Sequence, residues 1–282
     1  MITILHASDL QWGRPYRPAV GRAFQRLAAE LQPELVVLAG DLTQRAKKAE
    51  FSAVRAYLEG FAGMEVVVTP GNHDVPLYRV WERLVDPYRN WRRYIGPELD
   101  TVTRIEGAVC VALSSAAPRR AVVAGHLGAA QVAWARSVFD EVGPDDHRIL
   151  VTHHHFVPTA DGEGGRPLGN GAAILQEMEA AGVELVLGGH LHQPHLASSR
   201  SLVPGDGPGI PLVSSGTAAS SRGRGLDRGH NSVNVVRLSA AEVEVRVHRY
   251  DPGSGVFQGT SRHVFRRAVG AGGDRAWVGG AT

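Results

Sequence analysis

The residues best suited to chemistry in this sequence are Asn72, His73 and Asp74, which follow a short run of valines. An amide oxygen can bind a hard metal ion, an imidazole can exchange a proton near neutral pH, and a carboxylate can orient that imidazole. The dipeptide Pro70-Gly71 lies between the valines and these residues and ends the predicted strand abruptly. We therefore expect the three polar side chains at a strand end, as part of a reaction centre.

Four other apolar runs end in the same way, with a metal-ligand type of residue just after the run. The side chains that follow these runs are Asp9, Gln11, Asp41, His153, His190 and His192. In open α/β sheets the loops at the carboxyl ends of the strands converge, and the strands hold them rigidly. The sequence therefore predicts that ligands from five strands meet at one edge of a sheet.

The segments between these runs predict an α/β fold. Amphipathic spacing predicts helices after Pro18, over about 47–61, around 129–139 and over about 170–181. The opening β-α-β order indicates a parallel sheet. A hairpin over 102–106 and 108–114 is expected to start a second sheet, and the pattern after His192 is all β.

Three segments allow two interpretations each. The aromatic stripe of 78–94 is typical of a core-facing helix, although it could also form a wall beside the site. The Gly-rich segment 155–171 is either a substrate lid or a plain connection. In the loop 214–230, Arg222 and Arg224 could meet an anionic substrate or could simply be solvated.

Length and composition set the class of protein. The chain has 282 residues, 43% hydrophobic content and a formal net charge of +2, which fits one domain over 1–267 followed by a disordered Gly-rich tail over 268–282. The lone Cys110 is expected to pack in the core. No signal peptide or membrane-spanning run is visible, so a cytoplasmic location is expected. The oligomeric state is left open.

Read in order, the chain carries the motifs D-x-Q, G-D, G-N-H-D, a His-rich strand end and G-H-x-H. This order over about residues 1–265 resembles the calcineurin-like metallophosphoesterase superfamily, whose first motif is D-x-H. The segments LTQRAKKAEF and GNHDVPLY resemble the bacterial branch that includes cyclic-nucleotide phosphodiesterases.

The resemblance implies a four-layer αββα sandwich of two mixed sheets flanked by helices, with two metal ions at the carboxyl edge of the strands. It implies that Asp41 bridges the metals and that His73 is the general acid or a transition-state stabiliser, held by Asp74. The other ligands would be Asp9, Gln11 and His192 at one metal, and Asn72, His153 and His190 at the other. Two such cations would lower the pKa of a water between them and neutralise a phosphoryl group during in-line attack.

Gln11 departs from the family pattern, because it stands where the family usually has His. A neutral oxygen ligand should weaken that metal site and favour Mn²⁺ or Mg²⁺ over Zn²⁺. Mn²⁺ is the expected metal, with Mg²⁺ or iron as alternatives. In the other interpretation, Gln11 does not bind metal and water fills the gap.

The favoured function is hydrolysis of a small phosphodiester, with a cyclic nucleotide such as cAMP first. His154, Arg222 and Arg224 are the candidate substrate contacts. The alternatives are a UDP-diacylglucosamine-type pyrophosphate hydrolase, a nuclease, or a metal-binding scaffold with weakened catalysis. The modest net charge argues against long nucleic acid, since tracking a backbone takes a basic groove.

Overall fold

Two β-sheets pack face to face, and helices cover the outer face of each sheet. The structure is a computed structural model that describes the chain except for residues 121–122, 160–161, 163, 270–274 and 281–282. The predicted four-layer αββα sandwich is confirmed.

Strands from both ends of the chain form the first sheet. Its described strands are β1 (Ile2–Ala7), β2 (Leu35–Leu38), β3 (Val66–Val68), β10 (Ser232–Leu238), β11 (Glu242–Asp251), β12 (Val256–Val269) and β13 (Arg275–Gly280). The order across the sheet is β13-β12-β11-β10-β1-β2-β3. Strands β1, β2 and β3 are parallel, so their carboxyl ends lie at one edge.

The middle of the chain forms the second sheet. Its described strands are β4 (Thr101–Ile105), β5 (Ala108–Ala112), β6 (His147–Val151), β7 (Leu185–Gly188), β8 (His195–Ser198) and β9 (Pro211–Ser214), in the order β4-β5-β6-β7-β9-β8. Strands β4 and β5 form the predicted hairpin. Strands β5, β6, β7 and β9 are parallel.

Six α-helices are described, and four of them pack on the outer faces of the two sheets. Their bounds are α1 (Pro18–Leu31), α2 (Lys48–Leu58), α3 (Val80–Val85), α4 (Arg89–Tyr94), α5 (Ala129–Asp140) and α6 (Gly171–Ala180). Helices α1 and α2 bury Phe24 and Phe51 on the first sheet, and α5 and α6 bury Phe139 and Met178 on the second. Among the described residues, no helix has the length and apolar content needed to cross a membrane.

A third apolar cluster fills the space between the sheets. Ile4, Val37, Val151 and Leu187 lie there at 0% exposure, and Cys110 packs among them as expected. Burying an aliphatic side chain of this size contributes about 1.5–3 kcal/mol. This cluster fixes the two sheets against each other and thereby aligns their carboxyl edges.

The segment 78–94 is not the single core-facing helix that its spacing favours. Pro87 divides it into α3 and α4, because proline removes a backbone donor and restricts the residue before it. Trp91 is buried in α4, whereas Trp81 is 82% exposed and Tyr78 is 70% exposed. The core interpretation therefore holds for α4 and is wrong for α3.

Strand β12 continues through Val269, and β13 pairs antiparallel with it. The disordered tail expected over 268–282 stays a prediction. An unpaired strand edge offers hydrogen-bonding groups to any extended segment that reaches it. Residues 270–274 and 281–282 lie outside the described residues.

Candidate metal centre

The predicted ligands converge at the carboxyl edge shared by the two sheets. Asp9 and Gln11 follow β1, Asp41 follows β2, and Asn72 follows β3. From the second sheet, the ligands after β6 and β7 are His153, His190 and His192. All seven side chains are buried.

The backbone at five of these positions is left-handed. Their φ values are 57° at Asp9, 48° at Gln11, 53° at Asp41, 72° at His190 and 59° at His192. Non-glycine residues rarely adopt this region, and each instance costs about 1–3 kcal/mol. The sharp turn after each strand is what directs these side chains back into a common point.

Asn72, His153 and His190 form one compact group. Asn72 Oδ1 lies 3.2 Å from His153 Nε2 and 3.0 Å from His190 Nδ1, and the two imidazole nitrogens are 3.3 Å apart. The other nitrogen of His153, Nδ1, lies 2.7 Å from the carbonyl oxygen of Ala39. That contact orients the ring, so Nε2 is the atom presented to the group.

Asp9 and His192 form a second group. His192 Nε2 lies 3.6 Å from Asp9 Oδ1. The other carboxylate oxygen of Asp9 accepts hydrogen bonds from Ser8 Oγ at 2.6 Å and from the backbone N–H of His190 at 3.0 Å. These bonds leave Oδ1 as the oxygen that faces His192.

Asp41 lies between the two groups. Its Oδ1 is 3.4 Å from His153 Nε2 and accepts a 2.8 Å hydrogen bond from the backbone N–H of His73. Its Oδ2 lies 3.4 Å from Gln11 Nε2 and 4.0 Å from His73 Nε2. Asp9, Asp41 and His153 each offer a ligand atom within 4.8 Å of the others. Asp41 therefore has the position of a carboxylate that could contact both groups.

Two glycines allow the backbone to approach these side chains. A Cβ at Gly71 would lie 2.2 Å from Asp41 Oδ1, and a Cβ at Gly40 would lie 2.5 Å from His153 Nδ1. Gly40 also has a φ of +85°, which favours glycine. Any side chain at either position would collide with a predicted ligand.

Burial and mutual charge shift the titration of the site. Burial and then the charge of Asp41 raise the pKa of Asp9 to about 7. Burial opposes ionisation of Asp41, but the charges of His153 and His73 hold its pKa well below the usual range. Burial also opposes protonation of His153, yet Asp41 raises its pKa to about 9. Burial lowers the pKa of His192 to about 3.

His73 lies at the mouth of the centre, but Asp74 does not hold its ring. His73 Nδ1 is 3.0 Å from the backbone carbonyl oxygen of Gln44, and Nε2 is 2.9 Å from a guanidinium nitrogen of Arg222. Asp74 instead accepts hydrogen bonds from the backbone N–H groups of Leu42, Thr43 and Gly71, and from Thr43 Oγ1. The predicted orienting role of Asp74 is corrected: the carboxylate fixes the loops around Asp41, and Gln44 contacts the imidazole.

Gln11 lies in the centre as predicted, but its amide nitrogen faces the ligands. Nε2 is 3.4 Å from Asp41 Oδ2 and 3.5 Å from His192 Nε2. The amide oxygen accepts a 3.1 Å hydrogen bond from Ser220 Oγ. Metal binding by Gln11 stays a prediction.

Two of the three candidate substrate contacts line a cavity over the centre, and the third does not. The cavity has a volume of about 540 Å³, and Arg222, Arg224, His73 and Tyr78 are among its lining residues. His154 is fully buried, and its Nδ1 lies 2.9 Å from Ser115 Oγ. Its prediction as a substrate contact is therefore wrong: Ser115 holds the ring inside the protein, beside His190.

The profile of the family described as Calcineurin-like phosphoesterase matches residues 2–194. The chain belongs to the calcineurin-like phosphoesterase family. Members of this family are metal-dependent hydrolases that typically bind two metal ions.

Two bacterial relatives are cyclic nucleotide phosphodiesterases by name. The chain is 29% identical to the cAMP/cGMP dual specificity phosphodiesterase of Mycobacterium tuberculosis over 219 residues, which cover 73% of this chain and 64% of that protein. It is 30% identical to a probable cyclic nucleotide phosphodiesterase of Synechococcus sp. over 167 residues, which cover 57% of this chain and 58% of that protein. The matched part spans less than two thirds of either relative.

The fold is also that of a solved phosphatase. Purple acid phosphatase from yellow lupin (Lupinus luteus) seeds superposes with a TM-score of 0.68 and 12% identity, over 93% of this chain and 53% of that chain. At this identity the likeness supports the fold of the calcineurin-like phosphoesterase family and nothing finer.

The residues present fit the two metal ions typical of the family. Asp9 Oδ1 and His192 Nδ1 are buried and have no hydrogen-bond partner among the described residues. Asn72 Oδ1 and two imidazole nitrogens lie within 3.3 Å of one another. Buried acceptors in such proximity are unfavourable unless a proton or cation lies between them. Carboxylate, amide and imidazole ligands together suit divalent metal ions.

Sequence reasoning did not find Gln44 and Ser220. Gln44 contacts both His73 and Arg222, and Ser220 holds the amide of Gln11. The position of Gln44, three residues after Asp41, was the available signal. Ser220 had no such signal, because its role depends on where β9 delivers the following loop.

Proposed function

We propose that the chain is a phosphodiesterase that uses two divalent metal ions, with Mn²⁺ first, and that a cyclic nucleotide such as cAMP is the favoured substrate. The observation that carries the proposal is the position of His73. Its Nε2 lies 4.0 Å from Asp41 Oδ2, beside the ligands, and the ring lines the cavity together with Arg222. A proton donor and a fixed cation thus flank one small-molecule site.

The metals, when bound, would supply positive charge and activate water for attack on phosphorus. The chain's own residues would do the rest. The contact of Nδ1 with the backbone carbonyl of Gln44 fixes the ring of His73, so Nε2 is the atom that can give a proton to the leaving alkoxide. Arg222 donates to Nε2 in this arrangement. An incoming phosphate would compete for the guanidinium and free Nε2 to carry that proton.

The size of the cavity and the names of the relatives support a small substrate. A volume of about 540 Å³ lies within the usual range for small-molecule sites. Tyr78 lines this cavity with a largely exposed ring, which offers a surface for a nucleobase. The cytoplasmic location expected from the sequence stays a prediction.

Turnover of bis(p-nitrophenyl) phosphate and cAMP by Mn²⁺-loaded protein tests the proposal. We expect hydrolysis of both, loss of activity on chelation, and a loss of about 100-fold or more in kcat for His73→Ala at unchanged metal content. Arg228→Ala is the matched control, because Arg228 is exposed in the same loop as Arg222 and does not line the cavity. Protein that holds two metals per chain and turns over neither substrate would instead favour a binding scaffold.

A lipid-linked pyrophosphate is the second candidate, and one observation favours it. The exposed apolar side chains of 78–85, among them Trp81 and Val85 at 82% and 74% exposure, begin at Tyr78 on the cavity wall. Exposed apolar patches of this kind mark binding surfaces. A UDP-linked diacylglucosamine should outcompete cAMP in substrate profiling if this surface receives acyl chains.

A further inference from the structure

A second cavity adjoins the one over the metal centre. The two share Gln44, Arg45 and Arg222 as lining residues. The second cavity, here called the annex, has a volume of about 620 Å³ and is also lined by Arg14, Lys47 and Glu50. Neither His73 nor any of the predicted metal ligands lines the annex.

The annex has an excess of positive charge. Among the described residues, no carboxylate lies within 4.0 Å of the charged groups of Arg14, Arg45, Lys47 or Arg222. Glu50 lies in the annex wall, but its Oε2 accepts hydrogen bonds from the backbone N–H groups of Arg45 and Lys47, at 2.8 and 3.2 Å. Its position is thus set by the loop. Unpaired cations that line a concave surface focus a positive potential there.

The loop that carries Arg45 is held in place. The guanidinium of Arg79 donates 2.9 Å hydrogen bonds to the carbonyl oxygens of Arg45 and Ala46. The guanidinium of Arg45 lies 4.5 Å from the ring centroid of Tyr78. These contacts fix the backbone and one cation of the annex before any ligand arrives, which reduces the entropy lost on binding.

The annex opens on the proton-donor side of the centre. Arg222, which lines both cavities, lies 2.9 Å from His73 Nε2 and 3.4 Å from Gln44 Oε1. If His73 protonates the leaving alcohol, that alcohol must lie toward Arg222 and the annex. The orientation of the substrate therefore rests on the proposed function.

We propose that the annex binds a second anionic group of the substrate, a phosphate monoester carried by the leaving alcohol. Among linear phosphodiesters, those whose leaving portion is itself phosphorylated would then bind best. Arg14 and Lys47 are the specificity-determining residues for that group, and Arg222 lies between it and the scissile phosphodiester.

Two dinucleotides that differ by one phosphate test this inference. In pApA, cleavage of the P–O3′ bond releases a leaving nucleoside that carries a 5′-phosphate, whereas ApA releases unphosphorylated adenosine. Binding of both, with hydrolysis-resistant phosphorothioate linkages, is measured by calorimetry on the Mn²⁺-loaded protein. We expect pApA to bind about tenfold or more tightly, as charge-assisted hydrogen bonds to phosphate imply. The ratio should shrink as salt rises.

Matched double variants separate the annex from general charge. Arg14→Ser with Lys47→Ser should bring the ratio of the two affinities below about threefold. Lys48→Ser with Arg104→Ser removes the same charge from exposed positions outside the annex and should keep the native ratio. Equal native affinities for pApA and ApA, or a ratio that survives the annex variant, would overturn the inference. Turnover of bis(p-nitrophenyl) phosphate reports on the proposed function separately, so the two failures are distinguishable.

Discussion

Replacing Arg222 by Ala should remove the main fixed cation that the chain offers to a phosphoryl group. Arg222 is half-buried, and burial lowers its pKa below the usual value, which indicates that water screens it incompletely. Its guanidinium contacts His73 Nε2 and Gln44 Oε1 and is free to contact an anion in the cavity. A hydrogen bond to a charged group contributes about 1.5–3 kcal/mol. That range corresponds to a decrease of about 10- to 150-fold in kcat/KM.

Steady-state hydrolysis of bis(p-nitrophenyl) phosphate by Mn²⁺-loaded protein measures this effect, with metal content determined on the same samples. Arg222→Lys should lie between the native protein and the Ala variant, because lysine keeps the charge and loses the planar fork. Arg228→Ala should match the native protein. A loss below about threefold in Arg222→Ala at full metal occupancy would refute the assignment of Arg222 to phosphate binding, since that is less than one such hydrogen bond.

Three further predictions follow from single contacts. Gln11→His should raise the affinity for Zn²⁺ relative to Mn²⁺ about tenfold in metal competition, because it adds an imidazole where the amide oxygen is held by Ser220; an unchanged preference would show that this position does not bind metal. Gln44→Ala should lower kcat about threefold with a smaller change in KM, because it removes the side-chain amide that contacts Arg222 beside His73 but keeps the backbone carbonyl that fixes the ring; equal changes in both would indicate a substrate contact. Burial lowers the pKa of His6 from 6.5 to about 3, so the unfolded chain binds the extra proton and stability is lost as pH falls below 6.5. The free energy of unfolding in urea should therefore fall by about 2 kcal/mol less between pH 7 and pH 5 in metal-free His6→Gln than in the metal-free native protein. An equal fall in the two proteins would contradict this.

The spacing of ligands after apolar runs predicted where the ligands meet, because two features can be read from short stretches of sequence. Parallel strands end at a common edge, and each ligand lies within a few residues of its strand end, so the strands carry the information about position. Asn72, His153 and His190 meet for that reason. The hairpin of β4 and β5 indicated a second sheet, and the resemblance to the metallophosphoesterase family implied that the two sheets form a sandwich.

The direction in which each side chain points could not be predicted from local sequence in the same way. Asp74 was expected to hold His73 because the two are adjacent in sequence, yet the turn after β3 directs the carboxylate toward Leu42 and Thr43. His154 faces Ser115 because β5 runs beside β6. Such outcomes depend on contacts between elements distant in sequence, which a single local pattern does not contain.

The same geometry that assembles the centre works against the stability of the metal-free fold. Five ligand positions hold left-handed backbone at about 1–3 kcal/mol each, and Asp9 is buried beside Asp41. The three apolar clusters must offset these costs. A cation bound at the centre would reduce the repulsion between the two carboxylates and would occupy the space between the imidazole nitrogens. We therefore expect metal binding to stabilise the folded chain, because the sandwich already holds the predicted ligands close together.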